Sequence, residues 1–258
     1  MRVAALYDIH GNLPALEAVL DELRHADVDQ LVVGGDVVPG PMPRETLQRL
    51  LDLDRPVHFL HGNGELALLA LLAAPHEGAV TYWGTTSGQP LPEQYRPAYR
   101  WTAQQLQPDY PPVLARWPKT LRLEISGLGA VLFCHATPRS ETDIVTRLTP
   151  AERLASLVDG LGVALVVCGH THMQFDRQVG RTRVVNTGSV GEPYGAPGAF
   201  WLVLGPDIQL RHTPYDLARA AERISATAYP QGHEFVHGLL HPPAEDDMLA
   251  MFTPWDVQ

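Results

Sequence analysis

The sequence predicts an α/β protein, with a largely parallel sheet in its first half and mixed or antiparallel sheet in its second. Two observations carry this. Short apolar runs alternate with helix-like segments over the first third of the chain. Later, paired strand-like runs are separated by glycine-rich turns. Val3 to Tyr7 is an apolar strand. Leu13, Leu16, Leu20 and Leu23 recur every three or four residues, as one face of a helix does. Gln30 to Gly34 gives a second strand. Pro43 opens the next helix, with Leu47, Leu50 and Leu51 as its apolar face. Val57 to Leu60 is a third strand, and Leu66 to Ala74 is helical in composition. A β-α-β-α-β order implies parallel strands joined by right-handed crossovers.

Residues 75 to 118 break this rhythm with clustered Pro, Gly, Thr and aromatics, around a helix from about Pro97 to Gln107. They lack the apolar content of a separate core, so they read as a cap-like insertion in one domain spanning 1–258. Leu121 to Ile125 and Ala130 to Cys134 flank Ser126-Gly127-Leu128-Gly129, a hairpin signal. Leu154 to Leu161 is a short helix and Ala164 to Cys168 a buried strand. Phe175 to Val179 with Thr182 to Val185, and Phe200 to Leu204 with Ile208 to His212, form two further hairpins. Residues 226 to 258 carry little pattern.

The chain has 258 residues, enough for a full core, and a formal charge of −10. That charge argues against binding long nucleic acid through a broad basic surface, which requires Lys and Arg at phosphates. It leaves open a small phosphate ester held by metal ions, which bring their own charge. No apolar run approaches the roughly 20 residues that cross a membrane. Cys134 and Cys168 are too few for a disulfide framework and read as buried thiols. These features favour the cytoplasm.

Several segments share one layout, in which an apolar strand ends and polar ligand-type residues follow, mostly with glycine. They are Asp8-Ile9-His10-Gly11-Asn12, Gly34-Gly35-Asp36, Gly62-Asn63-Gly64-Glu65, His135, and Gly169-His170-Thr171-His172. Each has an ordinary alternative: a capping Asp, a packed histidine, an Asn in a left-handed turn. Their shared placement is the signal, because ligands of open α/β sheets bind beyond the carboxyl ends of the strands. Alternate residues such as Asp8 and His10, or His170 and His172, point the same way at a strand end. Imidazole with carboxylate suits Mn, Fe, Zn, Ni or Co better than Ca. Seven ligands exceed one ordinary site and fit two ions about 3.5–4 Å apart sharing a carboxylate, an arrangement that activates water and clamps phosphoryl oxygens.

In these motifs the chain resembles the calcineurin-like metallophosphoesterases, especially their small bacterial and archaeal phosphodiesterase-like branch. The family pattern D-x-H, G-D, G-N-H-D/E, H and G-H-x-H appears in order as Asp8/His10, Gly35-Asp36, Gly62-Asn63-Gly64-Glu65, His135 and Gly169-His170-Thr171-His172. Asn186-Thr187-Gly188-Ser189-Val190-Gly191 is similar to the branch's N-P-G-S-V-G segment. The match spans about residues 3 to 205. It implies a four-layer α/β/β/α sandwich with mixed sheets. It also implies one ion on Asp8, His10 and His172, a second on Asn63, His135 and His170, and Asp36 between them. A bridging hydroxide would attack phosphorus in line, and Asn12 and Glu65 would orient the ligands.

One position departs from the pattern. Many members carry a histidine after the Asn, where it assists the leaving group; here Gly64 stands in its place. The general acid is therefore unassigned. His61 and His76 lie near in sequence, but neither matches a family position. The expected activity is hydrolysis of a phosphodiester, nucleotide or phosphoanhydride. The alternatives are a phosphomonoesterase or protein phosphatase, and a scaffold that has kept the fold without metals. A metallo-β-lactamase-type hydrolase would need an H-x-H-x-D-H cluster, and the sequence has none. Tyr82, Trp83, Tyr95, Tyr99 and Trp101 in the insertion either stack a nucleobase or pack the insertion onto the body.

Overall fold

The computed structural model of the chain describes residues 1–73 and 91–257. His76, Tyr82 and Trp83 lie outside them. Two five-stranded sheets form the centre. The first has the order β10-β9-β1-β2-β3, from Ile208–Thr213, Ala199–Leu204, Val3–Leu6, Gln30–Val33 and Val57–Phe59. The second has the order β4-β5-β6-β8-β7, from Thr120–Ile125, Gly129–Cys134, Leu165–Cys168, Thr182–Asn186 and Phe175–Val179. β1, β2 and β3 run parallel, as do β5, β6 and β8. Both sheets are mixed, since β9, β10, β4 and β7 pair antiparallel.

The alternation of strand side chains sets the layers. Val3, Ala5 and Tyr7 of the first strand and its extension face inward, against Val131, Phe133, Leu165 and Val167 of the second sheet. Ala4 and Leu6 face outward, onto a helical layer. That layer holds α1 (Leu13–Leu23), α2 (Pro43–Leu51), α3 (Asn63–Ala73) and α4 (Arg96–Leu106), which pack through residues such as Leu16, Leu47, Leu68 and Leu106. A short α5 (Pro111–Leu114) adds Leu114 to the same core. On the far side, Cys134, Val166, Cys168 and Val184 meet Leu154, Leu157 and Val158 of α6 (Ala151–Val158). Three apolar layers thus separate four structural ones, the α/β/β/α sandwich. Both cysteines are free and buried. No helix among the described residues is long and apolar enough to cross a membrane.

Two features differ from the sequence expectation. The hairpin β9–β10 was expected with the later strands, yet it joins the first sheet, where Val3 pairs with Leu204 and Ala5 with Leu202. A hairpin's local pattern does not say which sheet edge it will close. Residues 226–258 also carry more regular structure than their composition suggests. After α7 (Leu217–Ser225) they form α8 (Gly232–Leu240) and α9 (Glu245–Phe252). Their cores are small clusters, such as Ala220, Ile224, Phe235 and Leu239, drawn from short helices.

Glu22 of α1 ties the helical layer to β10. Its carboxylate accepts from Thr213 Oγ1 at 2.5 Å and from the Arg211 guanidinium. Partial burial opposes ionisation, but these two partners win and hold the Glu22 pKa below its usual value. A depressed folded pKa adds stability above the unfolded glutamate value, and that stability is lost as pH falls through the folded one. Glu22→Gln should therefore cost about 1 kcal/mol near neutrality. In urea unfolding the difference from wild type should shrink as pH is lowered toward about 3.

Candidate metal centre

The site lies where the parallel strands of both sheets end. Parallel pairing of β1 with β2 continues past the strands, so their two loops run side by side. Asp8 N–H donates to Gly35 O at 3.1 Å, His10 N–H to Asp36 O at 2.9 Å and Gly11 N–H to Val37 O at 2.8 Å. The second sheet is laced the same way, with Gly169 N–H donating to His135 O at 2.7 Å. Val190 N–H and Gly191 N–H reach Tyr7 O and Asp8 O at 3.0 and 2.9 Å, joining the two sheets at this end.

These crowded loops force the backbone into an uncommon region. Among the described residues, the non-glycine residues with positive φ are Asp8, His10, Asp36, His170 and His172. All five are residues that the sequence singled out as ligands. A left-handed conformation costs an ordinary L-residue of order 1 kcal/mol or more and persists where the surroundings impose it.

The structure brings all seven sequence-predicted side chains together. Asp8, His10 and His172 form one group, and Asp36, His135 and His170 another. The ligand atoms of each group lie within 4.8 Å of one another. Asn63 Oδ1 stands 3.1 Å from His135 Nε2, beside the second group. Asp36 reaches both, with Oδ1 3.6 Å from His135 Nε2 and Oδ2 3.9 Å from His10 Nε2. His10 Nε2 and His172 Nε2 are 3.2 Å apart. Asn63 is the first residue of α3, not a left-handed turn residue.

Backbone carbonyls fix two of the rings. His135 Nδ1–H donates to Gly34 O at 2.9 Å and His172 Nδ1–H to Glu192 O at 2.7 Å. Each leaves Nε2 directed at the site, the arrangement in which histidines bind metals. Asp8 Oδ2 accepts from His170 N–H at 2.8 Å, while Oδ1 is buried with no hydrogen-bond partner. Such an orphaned carboxylate oxygen among imidazole nitrogens is the donor environment that a divalent cation satisfies.

The electrostatics agree. Burial opposes the charge on Asp8, but the imidazoles of His172, His135 and His10 hold its pKa below the carboxylate range. Burial likewise opposes charge on His172, yet Asp8 drives its pKa up to about 9. His10 and His170 are pushed down to about 3, by burial and by neighbouring histidines. Burial raises Asp36, aided by Asp8. Carboxylates and imidazoles are thus confined at close range, each shifting the titration of its neighbours.

Glu65 locks two loops. Its buried carboxylate accepts from Gly62 N–H and Asp36 N–H at 2.7 and 2.9 Å, and from Val38 N–H at 3.1 Å. Burial and the Asp36 charge raise its pKa to about 7. Asn12 works further out. Its Oδ1 caps α1 through Ala15 N–H at 3.2 Å, and its Nδ2 donates to Gly191 O at 2.8 Å. Sequence reasoning missed three contributors. Ser189 Oγ donates to Asp8 O at 2.7 Å. Glu192 Oε2 lies 3.8 Å from His10 Nδ1. The Tyr194 ring stacks on His172 at 5.2 Å. The Asn186 to Gly191 motif pointed toward the first; the other two follow it without a signal of their own. His61 pairs with Glu141 at 3.7 Å, and burial lowers its pKa.

Gly64 is a packing requirement as well as a missing histidine. A Cβ there would overlap the carbonyl oxygen of Val38 and meet Asp36 Oδ1 at 2.9 Å. Gly64 N–H donates to that same Asp36 oxygen at 2.7 Å.

The comparisons with known proteins bear on this arrangement. Residues 1–204 match the calcineurin-like phosphoesterase superfamily domain. The chain belongs to that superfamily. It is 25% identical to an uncharacterised protein of Methanocaldococcus jannaschii, over 89% of this chain and 94% of that one. It is similar to the solved metallophosphoesterase of Sphaerobacter thermophilus, at 25% identity and a TM-score of 0.68, covering 93% of this chain and 98% of the other. A hypothetical protein of Pyrococcus horikoshii shares the fold at 19% identity and a TM-score of 0.76, covering 92% and 97%.

Two outcomes check the geometry. Gly64→Ala should lower stability by about 2 kcal/mol in denaturant unfolding, because the Val38 carbonyl cannot move aside freely. Adding Mn or Zn to chelator-treated protein should raise its thermal midpoint, by about 2–3 kcal/mol of stabilisation at a hundredfold excess over Kd. His10→Ala combined with His170→Ala should abolish that gain.

Proposed function

We propose that this chain is a divalent-metal-dependent phosphodiesterase acting on a small organic phosphoester. The observation that carries this reading is the convergence of seven ligand-type side chains, five of them on left-handed backbone, around the orphaned Asp8 Oδ1. Asp8, His10 and His172 would hold one ion, and Asn63, His135 and His170 a second, with Asp36 shared. Such ions lower the pKa of a bound water and offset charge on the phosphoryl oxygens.

The chain's own residues do the rest. His135 and His172 present Nε2 because carbonyls hold Nδ1–H. Glu65 keeps the Asp36 loop against the start of α3. Gly64 brings its N–H onto Asp36 in place of a side chain. With no histidine at this position, leaving-group departure receives less help, which favours diesters and good leaving groups over alkyl monoesters. The charge of −10 fits a small substrate better than long nucleic acid, and a cytoplasmic setting accords with two buried thiols.

His172→Ala and Asp36→Asn should each lower turnover of bis(p-nitrophenyl) phosphate by a hundredfold or more, on the order expected for loss of a metal ligand. Near-normal rates in both at saturating metal would reject the reading. The wild type should hydrolyse this diester much faster than a simple alkyl monophosphate. Comparable rates would favour a phosphomonoesterase, and no turnover with Mn, Fe, Zn, Ni or Co would favour a scaffold.

A further inference from the structure

A cavity of about 290 Å³ opens beside the candidate ligands, with His10, Asp36 and Asn63 on its floor. Its other walls are aromatic. Tyr95 and Tyr99 come from the insertion, Tyr229 and Phe235 from the segment of α7 and α8. The last two lie beyond residue 204, where the family match ends. Tyr229 is braced edge-on by Trp101 at 5.4 Å and meets Phe235 at 6.3 Å, so a ring of each segment supports the other.

The polar groups on these walls are Gln231, Glu234 and Glu192. Gln231 precedes α8, and its side chain makes no capping hydrogen bond to that helix. Among the described residues no lysine or arginine lines the cavity. None occurs in residues 74–90 either. The positive end of α8 turns toward the cavity, but Glu234 in its first turn offsets it.

Resting on the phosphodiesterase reading, we propose that this cavity selects a nucleoside phosphodiester carrying a single phosphate, with the base against the aromatic wall. Three observations carry the choice. Aromatic rings stack any base. Gln231 offers both a donor and an acceptor to a base edge. A second phosphate would face Glu192 and Glu234 with no basic side chain to receive it. A small ammonium group would suit the rings and carboxylates too, but would leave most of 290 Å³ unfilled. In the reaction water adds to phosphorus, the ester P–O bond breaks and the alcohol leaves, so a nucleoside monophosphate is the product.

Release of p-nitrophenolate tests this in the metal-loaded enzyme. Thymidine 5′-(p-nitrophenyl phosphate) should exceed methyl p-nitrophenyl phosphate in kcat/KM by about tenfold or more, mainly through KM. That ratio should fall toward one in Tyr229→Leu and drop in Gln231→Ala. A 3′-phosphate on the thymidine should lower kcat/KM, and Glu234→Lys should recover part of the loss. Equal rates for the thymidine and methyl esters would overturn the inference while leaving the phosphodiesterase reading intact. So would a preference for p-nitrophenylphosphorylcholine or for diadenosine tetraphosphate. No turnover of any of these diesters would overturn both.

Discussion

Asp8, His10, Asp36, His170 and His172 sit on backbone that turns left-handed, and much of the molecule serves to hold it there. Such a conformation is unfavourable for each residue taken alone. It is imposed because loops leaving β1, β2 and β6 must turn away from the strand direction within two or three residues while still bonding to one another. The Asp8 to Asp36 ladder supplies that constraint in the first sheet, and the Gly169 to His135 bond supplies it in the second. Ser189 and Gly191 then fasten the Asp8 carbonyl from the loop after β8. The strain is local, while the restraint comes from both sheets and from the apolar layer between them.

This constraint explains the buried charge. Burial disfavours every charged form in this closed space, while a carboxylate and a neighbouring imidazolium favour each other's. Asp8 stays ionised because histidines surround it, and His172 keeps its proton because Asp8 is near. A divalent ion held by these residues would replace the shared protons with a single charge that every ligand can satisfy. Glu65 has the same logic at one remove. It is a carboxylate spent on three backbone N–H groups, so that Asp36 and Asn63 arrive at the same place.

Much of this was legible in the sequence, because strand ends followed by D-x-H, G-D and G-H-x-H leave a pattern in one dimension. That Val3 to Tyr7 forms a strand was legible too, though not which layer each of its faces meets. What was hidden depended on contacts between distant segments. Nothing local says that β9 closes on β1, that Val38 presses against Gly64, or that Asn63 begins a helix. Tyr194 lies over His172, and Tyr229 meets Trp101 edge-on, only because the chain returns. α8 and α9 bury only two apolar residues each, so residues 226–258 read as pattern-free.

In the proposed reading, the seven converging side chains hold two ions around a shared Asp36. Anomalous diffraction from a Mn-loaded crystal, measured on both sides of the metal edge, addresses it most directly. Two peaks are expected, one among Asp8, His10 and His172 and one among Asn63, His135 and His170, with Asp36 within bonding reach of both. A single peak, or two that Asp36 does not join, would contradict it.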